Sequence, residues 1–226
     1  ISSLDSKDRI VSIIIDEVYS SQRVEFVGGK LYGYVDNVPT KTVLCFMIKS
    51  VLGRYNDVVA MVPLSKIDSK IMEQWFFKVL KLVTEVGFRA VAILTDGHSV
   101  NNKFFRDELG NGSIPLYIEN PFSIIKEKMS SRTKDGLSSE TFLAAIQTSR
   151  GLAELSKYLL NEGQVKYILL RKINSDPLEK RFGWYRQLGG GNYFLNCRQF
   201  LESEKKIRIN SLLMTNIQSF LHFGIL

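Results

Sequence analysis

The chain has 226 residues, 45% of them hydrophobic and 23% charged, the composition of a globular protein with length for one large domain or two small ones around a substantial core. Its 30 Lys and Arg against 23 Asp and Glu give a net charge of +7. Cys45, Cys197, His98 and His222 are its only cysteines and histidines, which excludes a zinc finger or a disulfide framework within it and points to a reducing compartment.

The positive charge is uneven. From Asn161 to the end, ten Lys and Arg face five Asp and Glu, a balance of +5. Such a half suits an anionic partner, and nucleic acid comes before a membrane because no long basic amphipathic helix is evident. No apolar run is long enough to span a bilayer, and no signal-peptide pattern is seen. The chain begins at Ile1, as expected of a piece of a longer protein.

In chain order, Arg9 to Val18 is dominated by β-branched residues and reads as a strand buried on both faces, with Asp16 and Glu17 at its C-terminal end. Val24 to Val35 is broken by Gly28-Gly29, a hairpin signal. Thr42 to Val51 and Asp57 to Pro63 complete an antiparallel meander. Asp68 can cap a helix to about Glu85 whose apolar face is Ile71, Met72, Trp75, Phe76, Val79, Leu80 and Val83; Gly87 ends it. Ala90 to Asp96 is a second buried strand, again with a carboxylate where the apolar run stops. A helical crossover before it requires a parallel partner, most simply the first strand. A short helix from about Val100 to Leu109 and a strand at Ile114 to Ile118 follow.

Beyond Asn120-Pro121 the pattern changes. Residues 124–137 are polar and poorly periodic. Ser138 or Ser139 can cap a helix to about Leu160 with Phe142, Ile146, Leu152, Leu155 and Leu159 apolar, stopped by Gly163. The stretch from Ser175 to Tyr193 reads as a helix start: Asp176 at the N-cap, Pro177 at the first helical position, Glu179 at the capping-box position. Three basic residues (Lys180, Arg181, Arg186), several aromatics and a triple glycine follow closely. Arg198 to Arg208 is a further, charged helix.

Ligand sites in α/β sheets form at the carboxyl ends of strands. Asp16 and Asp96 occupy two such ends, and if the helix begun by Glu179, in its cationic setting, packs across them, three carboxylates converge. Converging carboxylates repel one another unless a divalent cation neutralises them, and hard oxygen ligands select Mg2+ or Mn2+. Such ions support phosphodiester chemistry. Each residue also has a plain structural reading: Asp96-Gly97 is a common turn pair, Asp16 could end a strand, and Glu179 could cap its own helix.

The segments IIIDEVYSSQRVEFVGGKLYGYV, KTVLCFMIKSVLGRYNDVVAMVP, ILTDGHSVNNKFF and SDPLEKRFGWYRQLGGGNYFLNCRQFLESEKKIR resemble the transposases of P-element-like DNA transposons, including the THAP-domain transposases. The resemblance implies an α/β, RNase H-like fold with a mixed five-stranded sheet flanked by helices and extra C-terminal helices. By position, it makes Asp16, Asp96 and Glu179 the catalytic, metal-binding Asp/Asp/Glu triad of a DDE transposase, with Mg2+ or Mn2+ as cofactor. It further implies binding of transposon ends and target DNA, and a nuclear location. Lys180, Arg181, Arg186, Lys205, Lys206 and Arg208 are the candidate phosphate contacts. No membrane partner is expected, and homo-oligomerisation is left open.

The chain departs from that pattern in three places. The family's large helical insertion, associated with GTP, separates its second Asp from its Glu; here the two stand only 83 positions apart (179 − 96), and nothing matches a guanine-nucleotide loop, so the resemblance carries over no GTP site. Asn120-Pro121-Phe122-Ser123 stands where an Asp-x-x-His element belongs. The THAP zinc finger is not in this sequence. The expected organisation is residues 1–120 as the first part of the catalytic domain, 121–164 as a shortened helical segment, and 165–226 as the part bearing the final Glu and a basic helical tail. The alternative is a domesticated or decayed derivative that keeps the fold and binds DNA or protein without catalysis.

Overall fold

In the computed structural model, the residues described are 4–113, 121, 139–161 and 165–223. Among the described residues the backbone is organised by a four-stranded sheet in the order β7-β6-β1-β8. Strand β1 (Ile10–Tyr19) and strand β6 (Thr42–Ser50) are its interior pair, and their β-branched and aromatic runs are buried almost without a break. The Val51 N–H donates to the Ile10 carbonyl and the Ser20 N–H to the Lys41 carbonyl, so β6 runs antiparallel to β1. Strand β7 (Asn56–Leu64) forms one edge. Strand β8 (Arg89–Leu94) lies on the other side of β1 and is parallel to it, the pairing that a helical crossover demands. The expected fifth strand, 114–118, lies outside the described residues.

By its contacts the chain divides into two units: Ile1–Asp16, Phe46–Ala60 and Ile67–Ser175 form the first, and Glu17–Cys45, Met61–Lys66 and Asp176–Leu226 the second.

In the first unit, helix α1 (Ser69–Glu85) is the crossover. The Asp68 carboxylate accepts the Ile71 N–H at 2.9 Å as its N-cap, and Met72, Phe76, Val79, Leu80 and Val83 are its buried stripe. The helix stops in a Schellman turn: the Gly87 N–H bonds the Thr84 carbonyl and the Phe88 N–H the Val83 carbonyl, with Gly87 at φ +93°. Helix α2 (Ser99–Lys103) continues into a single π-turn at Phe104–Glu108. Helix α3 (Ser139–Asn161) buries Leu155 and Leu159 with Val51, against Val91, Ala92 and Ile168. Of its expected apolar face, the Phe142 side chain lies outside what is described.

The second unit holds two small ribbons, β2 (Glu25–Val27) with β3 (Lys30–Tyr32) and β4 (Tyr34–Val35) with β5 (Val38–Pro39). The first turns through Gly28 and Gly29, both at positive φ, the type I′ geometry that suits a right-twisted hairpin. Helix α4 (Asp176–Leu188) and helix α5 (Cys197–Phe223) pack through Leu178, Phe182, Tyr185 and Phe200, all buried. Helix α4 takes in Asp176 as its first residue, one position earlier than Pro177, so Ser175 stands in the cap position and Glu179 is the fourth residue of the helix.

Candidate active site

Strand register determines where the first two acidic residues stand. Ile13 lies beside Ile93 and Ile14 beside Leu94 in the parallel β1–β8 ladder. Asp16 and Asp96 each come two residues after this last pair. Side chains alternate along a strand, so within β1 Asp16 falls on the sheet face of Ile14. Asp16 is half-buried inside β1, and Asp96 is exposed just past the end of β8.

The surroundings of Asp96 are specific. Its Oδ1 accepts the His98 backbone N–H at 2.9 Å and the Asn101 side-chain amide at 2.5 Å. Asn101 sits in α2 and is only 1% exposed. His98 in turn caps α2, its Nδ1 accepting the Val100 N–H at 3.4 Å. The Asp96-Gly97 turn pair is thus real, and it leads into a short helix that returns an amide to the carboxylate. Among the described residues no donor reaches Asp96 Oδ2 and no Lys or Arg pairs with this carboxylate. A carboxylate oriented by neutral donors, with one oxygen uncommitted, is a hard ligand whose charge is not compensated locally, the donor type that Mg2+ and Mn2+ select. Among the described residues no three His, Cys, Asp or Glu side chains are gathered into a ready metal site.

Glu179 is exposed on α4 of the second unit. The basic residues near it fall into three kinds. Lys180, Lys205 and Lys206 are exposed. Arg208 is exposed, and its Nε donates to Glu204 Oε1 at 2.9 Å. Arg181, expected among the phosphate contacts, is buried, with its Nε 3.8 Å from Glu204 Oε2. That corrects its assignment: a guanidinium held inside against a buried carboxylate is structural. Arg186 is half-buried, with its guanidinium 4.5 Å from the Tyr193 ring centre.

Glu204 is the residue that sequence reasoning passed over. Buried in α5, it accepts the Tyr185 hydroxyl at 2.6 Å and the Arg208 Nε–H at 2.9 Å, and it forms an ion pair with Arg181 at 3.8 Å. Burial, then the hydrogen bond to Glu204, pushes the Tyr185 hydroxyl far above its usual range, so it stays a donor. A charged helix gives no sign of which glutamate turns inward. Asn101 was also missed, although its place five residues after Asp96, at a helix start, could have marked it. In the ribbon, Glu25 binds Arg198, the Asn196 amide at 3.2 Å and Arg23 at 3.2 Å. Chiefly through Arg198, its carboxyl is held below the usual carboxylate range.

Residues 1–109 match the family model of the TNP-like RNase H N-terminal domain. The fold of that segment is RNase H-like. The segment contains β1, β8, Asp16 and Asp96 and ends before Glu179. Among solved structures, the chain is similar to the Drosophila P element transposase strand transfer complex at 19% identity, covering 48% of this chain and 23% of that one with a TM-score of 0.38. The chain therefore spans less than a quarter of the length of that protein. No curated protein matches it.

Proposed function

We propose that this chain is the catalytic part of a metal-dependent DNA transposase of the DDE type, related to the P-element and THAP-domain enzymes. The observation that supports the reading is the parallel β1–β8 register, whose last pair, Ile14 beside Leu94, comes two residues before Asp16 and Asp96. The match of residues 1–109 to the transposase-like RNase H family supports it. In this reading Asp16 and Asp96 hold Mg2+ or Mn2+, and Glu179 completes the set as the acidic residue of the SDPLEKRFGWYRQLGGGNYFLNC segment. A divalent cation bound there supplies Lewis-acid activation of a water or a 3′-hydroxyl for attack on a phosphodiester.

The protein's own contribution is positional. His98 N–H and the Asn101 amide hold Asp96 in one orientation, so its second oxygen is directed without reorganisation. Lys180, Lys205, Lys206, Arg208 and Arg186 carry the DNA backbone by phosphate contact, which positions a duplex without reading its sequence. Binding through such contacts is weakly sequence-dependent and falls steeply with salt. A function on DNA brings with it the nuclear location expected from the sequence.

Incubation with supercoiled plasmid in Mn2+ tests the assignment. Wild-type protein is expected to nick the plasmid, and Asp16→Asn, Asp96→Asn and Glu179→Gln to lose that activity while still folding. Full nicking by Asp96→Asn would remove the catalytic reading. A wild type that binds DNA but never nicks it would favour the non-catalytic derivative.

A further inference from the structure

The turn after α4 presents two aromatic rings to solvent in a way that packing does not explain. Tyr193 and Phe194 are 64% and 59% exposed, and their rings meet edge to face at 5.1 Å. The Arg186 guanidinium lies over the Tyr193 ring. Its Nε is buried and has no acceptor among the described residues. Large exposed rings beside a guanidinium mark a surface built for something else.

The presentation is rigid by construction. Helix α4 ends in a second Schellman turn, with the Gly190 N–H on the Gln187 carbonyl and the Gly191 N–H on the Arg186 carbonyl, at 3.1 and 2.9 Å. The triple glycine is this stop: Gly190 and Gly191 both take positive φ. The Asn192 side-chain amide donates to the Gly189 carbonyl at 3.2 Å. On the far side, Leu195 is fully buried and its carbonyl accepts the Ser21 N–H at 2.9 Å. The aromatic pair therefore stands on a turn fixed at both ends, with little conformational entropy left to lose on binding.

We infer that Tyr193 and Phe194, with Arg186, form a stacking platform for unpaired bases of single-stranded DNA. The chemistry fits on two counts. Exposed ring faces stack on any base but reach none that is still paired within a duplex, and the adjacent guanidinium supplies cation–π and phosphate contact. The balance of +5 over the last 66 residues favours a polyanion over an apolar protein partner. This inference rests on the proposed function for its DNA but not for its metal chemistry, so the two can fail separately.

The test uses the full chain in EDTA, where no catalytic metal is bound, with fluorescence anisotropy of a labelled dT oligonucleotide and of a duplex of equal length. Tyr193→Ala and Phe194→Ala are each expected to weaken single-strand binding about tenfold, the loss of roughly one stacked base, with duplex affinity unchanged within twofold. Phe26→Ala removes a ring that is 72% exposed on the β2–β3 ribbon and is expected to change neither. Equal loss on single strand and duplex would overturn the platform, as would an equal effect of Phe26→Ala. A change in sedimentation without a change in oligonucleotide binding would give the rings to a second copy of the chain and also overturn it. Because the measurement excludes metal, a protein that never nicks DNA can still pass it.

Discussion

Asp96 and Glu204 are both carboxylates ringed by named donors, one in each unit, and they are opposites. Glu204 is buried, and its charge is answered on the spot by Arg208, Arg181 and the Tyr185 hydroxyl. Asp96 is exposed and held by two neutral donors that fix its direction without cancelling its charge. Burial forces compensation, because an unpaired charge in the interior is prohibitively costly. Exposure past a strand end does not force it, because water screens the charge of Asp96. The contrast separates an acid that holds a fold together from one whose proposed role is to receive a cation.

The sharpest way to break that contrast is at Glu204. Glu204→Ala leaves the Arg181 guanidinium buried without its partner carboxylate, and is expected to lower unfolding free energy by about 3–5 kcal/mol, read as a fall in denaturant midpoint. Tyr185→Phe removes one charge-assisted donor and leaves the arginines in place, so about 2 kcal/mol is expected from the same measurement. A loss as small as that of a surface change would show that Glu204 is not the anchor described here.

Glu25 gives the contrast a pH dependence. With its carboxyl held below the unfolded value of about 4.3, chiefly by Arg198, it contributes stability that is present above that value. The contribution is lost as the pH falls through the lower, folded value. Glu25→Gln should therefore melt lower than wild type at neutral pH and converge with it in acid; parallel melting curves across that range would contradict the pairing. The smallest effect belongs to Asp96. Asp96→Asn keeps an acceptor for the His98 N–H and removes an uncompensated charge, so the stability of the metal-free protein should change by less than about 0.5 kcal/mol.

Much of this was legible in the residues. The β-branched run of β1, the 3.6-residue stripe of α1 and the cap signals at Asp68 and Gly87 each carry a local physical mechanism, and each appears where that mechanism puts it. The parallel pairing of β1 and β8 followed from the length of the crossover. What failed to show were matters of inward and outward. Arg181 lies among residues that read as a cationic surface, yet its face of α4 turns to Glu204 on α5, a pairing 23 residues away in sequence (204 − 181) that no local pattern encodes. The triple glycine stood out only as a feature close after Glu179, and its role is to end α4.

The central claim is that Asp16 and Asp96 share one cation site. It is tested most directly by melting the protein across a Mn2+ titration, because a ligand that binds only the folded state raises stability as RT ln(1 + [L]/Kd). Wild type should show a rising melting temperature in the millimolar range, and Asp16→Asn and Asp96→Asn should each abolish the rise. A wild type that does not respond to Mn2+, or two variants that respond as it does, would contradict the shared site.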